Sequence, residues 1–172
     1  NAGMAGGADI ILIPEIPYNI NKIVDAVDKR SKAGKRFTIL AVAEGAISKE
    51  DAKLSKKEYK AKLAKRAKKY PSVSYEIAHQ IEEKTGNEVR VTVPGHTQRG
   101  GSPCPYDRVL STRIGVGAAE CITNEEYGVM VGIINGQIKT IPLEECAGKL
   151  KTVSAKDQLV QAAKQMGISF GD

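Results

Sequence analysis

The chain has 172 residues, 41% apolar and 27% charged, with a formal net charge of +6. That mixture belongs to a globular chain able to bury a core in one or two lobes, and it excludes a disordered polymer. No apolar run approaches the length of a membrane-spanning helix.

The positive charge is local. From Ser48 to Lys69 the chain carries ten Lys or Arg against three acids, so the remainder is close to neutral and general nucleic-acid affinity does not follow. Cys104, Cys121 and Cys146 are odd in number and widely spaced. This argues for thiols in a reducing cytoplasm and against a disulfide frame or zinc site. The start, Asn1 to Gly7, has no basic region of a signal peptide and leads straight into an apolar run, so a fragment is expected.

In chain order, Ala8 to Pro14 is a short apolar run that reads as a strand buried on both faces, as in a parallel sheet. Glu15 follows at its carboxyl end, where open α/β sheets put ligands. Asn19 or Asn21 can cap a helix carrying Ile20, Ile23, Val24 and Val27, with Gly34 as its stop. Phe37 to Ala43 is a second buried strand, which completes a βαβ unit. Glu44-Gly45 ends it, and a carboxylate there suits sugar hydroxyls, with a solvated or capping Glu as the plain alternative.

Residues 50–69 read as a lysine-rich helix with one apolar seam of Tyr59, Leu63, Ala67 and Tyr70. A solvated helix laid over the domain is the expected role; a contact with nucleic acid or acidic lipid has no aromatic or glycine-rich pattern to support it. A helix from Val73 to Lys84 should turn Tyr75, Ile77, Ala78 and Ile81 inward, leaving His79 as a partly exposed packing residue.

Glu88 to Val93 alternates polar and apolar residues as a strand does, then stops at Pro94-Gly95. His96, Gln98 and Arg99 follow, closed by Gly100-Gly101, with Arg90 upstream in the strand. An imidazole, guanidinium groups and glycine-rich backbone N–H groups are the donors an anionic phosphate needs. Beyond them, a helix is expected from Tyr106 to about Cys121, with Asp107 and Arg108 as a structural ion pair near its start. Asn135-Gly136 between two strand patterns marks a hairpin, and a last helix spans Asp157 to Met166.

With these residues in view, the whole chain resembles the carboxyl-terminal half of the 6-phosphofructokinase family. The resemblance rests on Ala5 to Glu15, Ala41 to Gly45, Arg90 to Pro103 with Asp107 to Leu110, and the Tyr127 to Pro142 hairpin. It implies an α/β fold, a three-layer lobe with a mostly parallel sheet over residues 1–100. Residues 101–172 would add a helix, a hairpin and a C-terminal helix that pack on a missing amino-terminal lobe.

For the site, the resemblance implies that Glu44 bonds fructose hydroxyls and that His96 and Arg99 hold the 6-phosphate of fructose 6-phosphate. Arg90 matches an arginine donated across a subunit interface in a homo-oligomer, a dimer or tetramer. No catalytic residue is expected here, because the general base would lie in the missing half. Mg²⁺ with ATP or pyrophosphate would be bound mainly there too, so the fragment should be inactive alone. The implied function is ATP-dependent fructose 6-phosphate phosphorylation in the glycolysis of the cytoplasm. The alternatives are a pyrophosphate-dependent enzyme and a non-catalytic sugar-phosphate-binding module; neither a membrane nor nucleic acid is expected as a partner.

Overall fold

The computed structural model describes all 172 residues, Asn1–Asp172. Chain contacts divide it into two compact units, Asn1–Thr92 with Thr152–Asp172, and Val93–Lys151. This division differs from the expected boundary near residue 100, because the C-terminal segment returns to the first unit.

The first unit begins with a short helix α1 (Ala2–Ala5) and strand β1 (Ile10–Leu12). Helix α2 (Ile20–Lys32) follows, capped by Asn19, whose side chain accepts the Asn21 N–H at 2.9 Å. Gly34, with φ at +78°, closes it. Strand β2 (Leu40–Val42) pairs parallel with β1, Ile10 opposite Leu40 and Leu12 opposite Val42. A 3₁₀ turn at Asp51–Lys53 leads to α3 (Lys56–Lys69) and then α4 (Val73–Thr85), which ends at left-handed Gly86.

Alternation along β1 builds three layers. Ile10 and Leu12 enter a core with Ile23 and Val27 of α2 and Val73, Ile77 and Ile81 of α4. Ile11 and Ile13 pack on the opposite core, made by Ile16, Val160, Ala163 and Phe170. Val160 and Ala163 belong to α7 (Gln158–Gln165), the last helix, capped by Asp157. Beyond it the Ile11 N–H bonds the Ser169 carbonyl at 2.8 Å, so the tail extends the sheet region beside β1. Each fully buried Ile or Leu in such a core contributes about 1.5–3 kcal/mol.

Four expectations change in this unit. The buried strand expected over Phe37 to Ala43 shortens to the half-buried Leu40–Val42, and Phe37 is exposed, because only those three residues pair with β1. The run Glu88–Val93 forms no strand ladder; the Val89 N–H goes instead to the Glu82 carboxylate at 2.9 Å. In α4, Tyr75 is exposed and Val73 takes the inward place. The apolar seam of α3 is not buried: the helix has no buried residue, and Leu63 is 39% exposed. Its anchors are charged and are described below.

The second unit holds a 3₁₀ turn at Gly95–Arg99, the long helix α5 (Pro105–Thr123), and a hairpin of β3 (Val129–Ile134) and β4 (Gln137–Pro142). Asn135 and Gly136 both have positive φ, 52° and 76°, as the expected two-residue turn requires. A short helix α6 (Leu143–Cys146) ends the sheet. Gly117 seats α5 on the hairpin, since a Cβ there would lie 2.8 Å from Ile138. Asp107 and Arg108 do not pair with each other. The Asp107 carboxylate accepts the Cys104 N–H at 3.2 Å, and Arg108 donates to the Pro103 carbonyl at 3.2 Å. Tyr106, Val109, Val116 and Ile122 of α5 stay exposed, as does Leu150 at 89%.

Candidate functional site

The four residues singled out by sequence fall in both units. Glu44 and Arg90 belong to the first, His96 and Arg99 to the second.

Glu44 stands just beyond β2, exposed and with no hydrogen bond recorded within the chain. It is therefore a solvated carboxylate with free acceptor capacity, which is what a polyol needs. The loop around it is fixed. The Ala43 N–H bonds the Leu12 carbonyl at 2.9 Å, Ala46 is buried, and the Tyr18 and Lys49 N–H groups bond the Ile47 and Tyr18 carbonyls at 3.0 and 2.7 Å. Gly45 is needed for packing, because a Cβ there would meet the Pro14 ring at 3.0 Å.

Arg90 is 86% exposed, and its only partner in the chain is Glu88, at 2.9 Å. It borders a cleft of about 470 Å³ between the free side of β2 and residues 87–92. Lys35 and Arg36 share the rim, while Leu40, Ile77 and Ile81 line the interior. Glu15, at the end of β1, is occupied structurally: its carboxylate accepts the Val153 N–H at 3.0 Å.

His96 and Arg99 occupy the Gly95–Arg99 turn, both exposed. In a 3₁₀ turn, residues three apart eclipse, so these two side chains share one face. Gly95 at φ +52° and Gly101 at φ +90° bracket the turn in conformations that favour glycine. At its ends the Thr97 and Gly100 N–H groups bond the Pro94 and Thr97 carbonyls at 3.0 and 3.2 Å. Two cationic or donor side chains on one face, with spare backbone donors, can hold a phosphate.

The family model for phosphofructokinase matches residues 1–122. The chain belongs to the phosphofructokinase family. All four candidate residues lie inside the matched span. An ATP-dependent 6-phosphofructokinase of Spirochaeta thermophila is 50% identical over 171 residues, covering 99% of this chain and 46% of the relative. Another, from Bacteroides thetaiotaomicron, is 47% identical, over 99% of this chain and 45% of the relative. The chain thus spans under half the length of these relatives. Among solved structures, phosphofructokinase from Saccharomyces cerevisiae aligns at a TM-score of 0.58 with 28% identity, over 84% of this chain and 18% of that one. A pyrophosphate-dependent phosphofructokinase from Nitrosospira multiformis aligns at 0.64 with 19% identity, over 95% of this chain and 41% of that one; it supports the fold alone.

Sequence reasoning missed one cluster of this family member. Asp51 is 2% exposed, and its carboxylate meets Lys62 Nζ and, at 2.8 Å, Arg66 Nη2, both from α3. Arg66 Nε lies 2.5 Å from Glu76 Oε2 of α4 in ion-pair contact, though neither atom makes an aligned hydrogen bond. Burial pushes the neighbouring Tyr18 phenol up to about 12, helped by the Glu76 carboxylate. The available signal was Lys62 and Arg66 four residues apart on one helical face. The burial of Asp51 has no such signal.

No group of three His, Cys, Asp or Glu side chains converges in the chain.

Proposed function

We propose that this chain is the acceptor-binding half of an ATP-dependent 6-phosphofructokinase. The observation that carries the reading is the pairing of His96 with Arg99 on one face of a glycine-bracketed turn, in a chain matched to such enzymes over 99% of its length. His96 and Arg99 donate to the oxygens of the 6-phosphate. Glu44 accepts from fructose hydroxyls and so orients the sugar. Arg90 reaches outward to the sugar phosphate of a neighbouring copy in a homo-oligomer. Its exposure and lack of any partner but Glu88 support that role.

The reaction is phosphoryl transfer to the sugar's 1-hydroxyl, where positioning and charge neutralisation do most of the catalysis. This chain supplies positioning of the acceptor. The donor, its metal and the general base belong to the remainder of the enzyme, and the exposed apolar side chains of α5 suit packing against it. ATP is favoured over pyrophosphate as donor because the relatives at 47–50% identity bear ATP-dependent names. The same reading assigns the enzyme to the cytoplasm, in keeping with three unpaired cysteines. No helix is long and apolar enough to cross a membrane.

Calorimetric titration of fructose 6-phosphate into the chain tests this. A charge-assisted hydrogen bond is worth about 1.5–3 kcal/mol, so Arg99→Ala should weaken binding by roughly 10- to 150-fold. Equal affinity in wild type and a His96→Ala, Arg99→Ala variant would refute the assignment.

A further inference from the structure

We propose that the outward lysine stripe of α3 docks on a glutamate-rich surface presented by a second copy of this chain. The contact is separate from the one that brings Arg90 to a neighbour, and it does not depend on the sugar-phosphate reading.

Helix α3 carries more charge than its own domain uses. Lys62 and Arg66 turn inward to Asp51. Lys56, Lys57, Lys60, Lys65 and Lys68 are exposed and meet no carboxylate. The one acid of the helix, Glu58, is turned back onto Ser55 in a capping box. By helical periodicity Lys57 and Lys68 stand opposite Arg66, with Lys60 and Lys65 beside them, a stripe about 16 Å long. Like charges three or four residues apart, such as Lys56 with Lys60 and Lys65 with Lys68, destabilise a helix, and lysines in its first turn oppose its dipole. No acid of the chain offsets them.

The opposite surplus lies on α5, α6 and the turn between α5 and β3. Ile114 to Ile138 contains no Lys or Arg. Glu120 is in the last turns of α5, and Glu125 and Glu126 follow that helix. The Glu126 N–H bonds the Cys121 carbonyl at 2.8 Å, and the Leu143 N–H bonds the Gly128 carbonyl at 2.9 Å. These bonds set Glu144 and Glu145 of α6 beside the same turn. All five carboxylates are exposed, and none is in an ion pair.

The make-up of the stripe selects the occupant. Between its lysines the outward face of α3 holds only Ala61 and Ala64. It offers no aromatic ring to stack a base and no bulky apolar side chain to enter a lipid layer. Lysine ammoniums are point charges, suited to single carboxylates rather than to forked recognition. A surface of clustered, unpaired carboxylates answers that face, and this chain carries one. Because the contact joins two different surfaces, it extends head to tail from copy to copy.

The test is sedimentation of the full-length protein at about 0.02 M and about 0.5 M salt, where screening lengths differ about fivefold. One variant carries Lys57→Glu, Lys60→Glu and Lys68→Glu; the other carries Glu125→Lys, Glu126→Lys and Glu144→Lys. The wild type should have the higher mass at low salt. Each variant alone should associate at least about tenfold more weakly. An equal mixture of the two should associate again, since the reversed helix of one meets the reversed glutamate surface of the other. Carbodiimide coupling of the wild type, which needs no variant to fold, should join α3 lysines to Glu120–Glu126 or Glu144–Glu145 of another copy. A wild-type mass independent of salt, association that survives either reversal, a mixture that stays apart, or couplings confined to other residues would each overturn the proposal. So would duplex DNA or anionic vesicles binding through these lysines in a protein that does not self-associate.

Discussion

Gly171 is the position where the returning tail can be tested most sharply. Its φ is +72°, and a Cβ placed on it would stand 3.0 Å from Tyr18 Cβ and 3.2 Å from both Ile23 Cγ1 and Leu12 Cδ2. Its carbonyl accepts the Asn19 N–H at 2.7 Å, joining the tail to the start of α2. Gly171→Ala therefore combines two costs. The left-handed conformation costs a non-glycine residue about 1–2 kcal/mol. Overpacking against Tyr18 Cβ and the fully buried Ile23 and Leu12 side chains adds about 1–3 kcal/mol. The expected loss is about 2–5 kcal/mol, or a fall in Tm of roughly 5–15 °C for a protein of this size. Gly167 is the internal control: its φ is +88° but a Cβ there meets no atom within 4 Å. Gly167→Ala should lose only the conformational share, about 1–2 kcal/mol. Urea denaturation followed by circular dichroism compares the two. Equal losses would refute the packing of the tail against Tyr18, and with it one support of the loop that carries Glu44.

Two further outcomes follow from the same contacts. Tyr18 should give a step near 12 in an ultraviolet pH titration, and Tyr18→Phe should remove that step. Its folded value lies above the ordinary 10.0, so the stability it contributes is complete below pH 10 and is lost as pH rises from 10 toward 12. Stability unchanged over that window would contradict the burial of its hydroxyl. In the second unit, Gly117→Val should separate α5 from the hairpin, since a Cβ would already lie 2.8 Å from Ile138 and 3.1 Å from Val131. A loss of about 1–3 kcal/mol, or more if the seat collapses, is expected by denaturation; a neutral change would refute the seat.

Local chemistry was legible in the sequence where it is decided locally. A cap at Asn19 or Asn21, the stop at Gly34 and the Asn135-Gly136 turn each depend on residues within a few positions, and each stands where the pattern put it, with Asn19 the one that caps. The βαβ unit was legible because an all-apolar run such as Ile10–Leu12 has one stable use, burial on both faces. Pairing partners were not legible. The alternation of Val89, Val91 and Val93 fixes which side chains share a face but not whether a neighbouring strand bonds them, and here the Glu82 carboxylate takes the Val89 N–H. The return of residues 168–171 to β1 is equally non-local, which is why the unit boundary moved.

Helix α3 shows the sharpest limit. Hydrophobic periodicity marks Tyr59, Leu63 and Ala67 as its inner face, yet the helix is held through Arg66 and Lys62 by a carboxylate that sequence cannot show to be buried. For the candidate site, residue types and glycine positions were legible around His96 and Arg99. The packing role of Gly45 against Pro14 came only from the structure.

The central claim is that this chain supplies the acceptor site. It is tested most directly by steady-state kinetics of the full-length protein carrying Arg99→Ala. The account expects kcat/KM for fructose 6-phosphate to fall by roughly 10- to 150-fold, the share of one charge-assisted phosphate contact. The KM for ATP should stay near that of wild type. Unchanged kinetics toward fructose 6-phosphate, or a loss confined to ATP, would contradict the assignment.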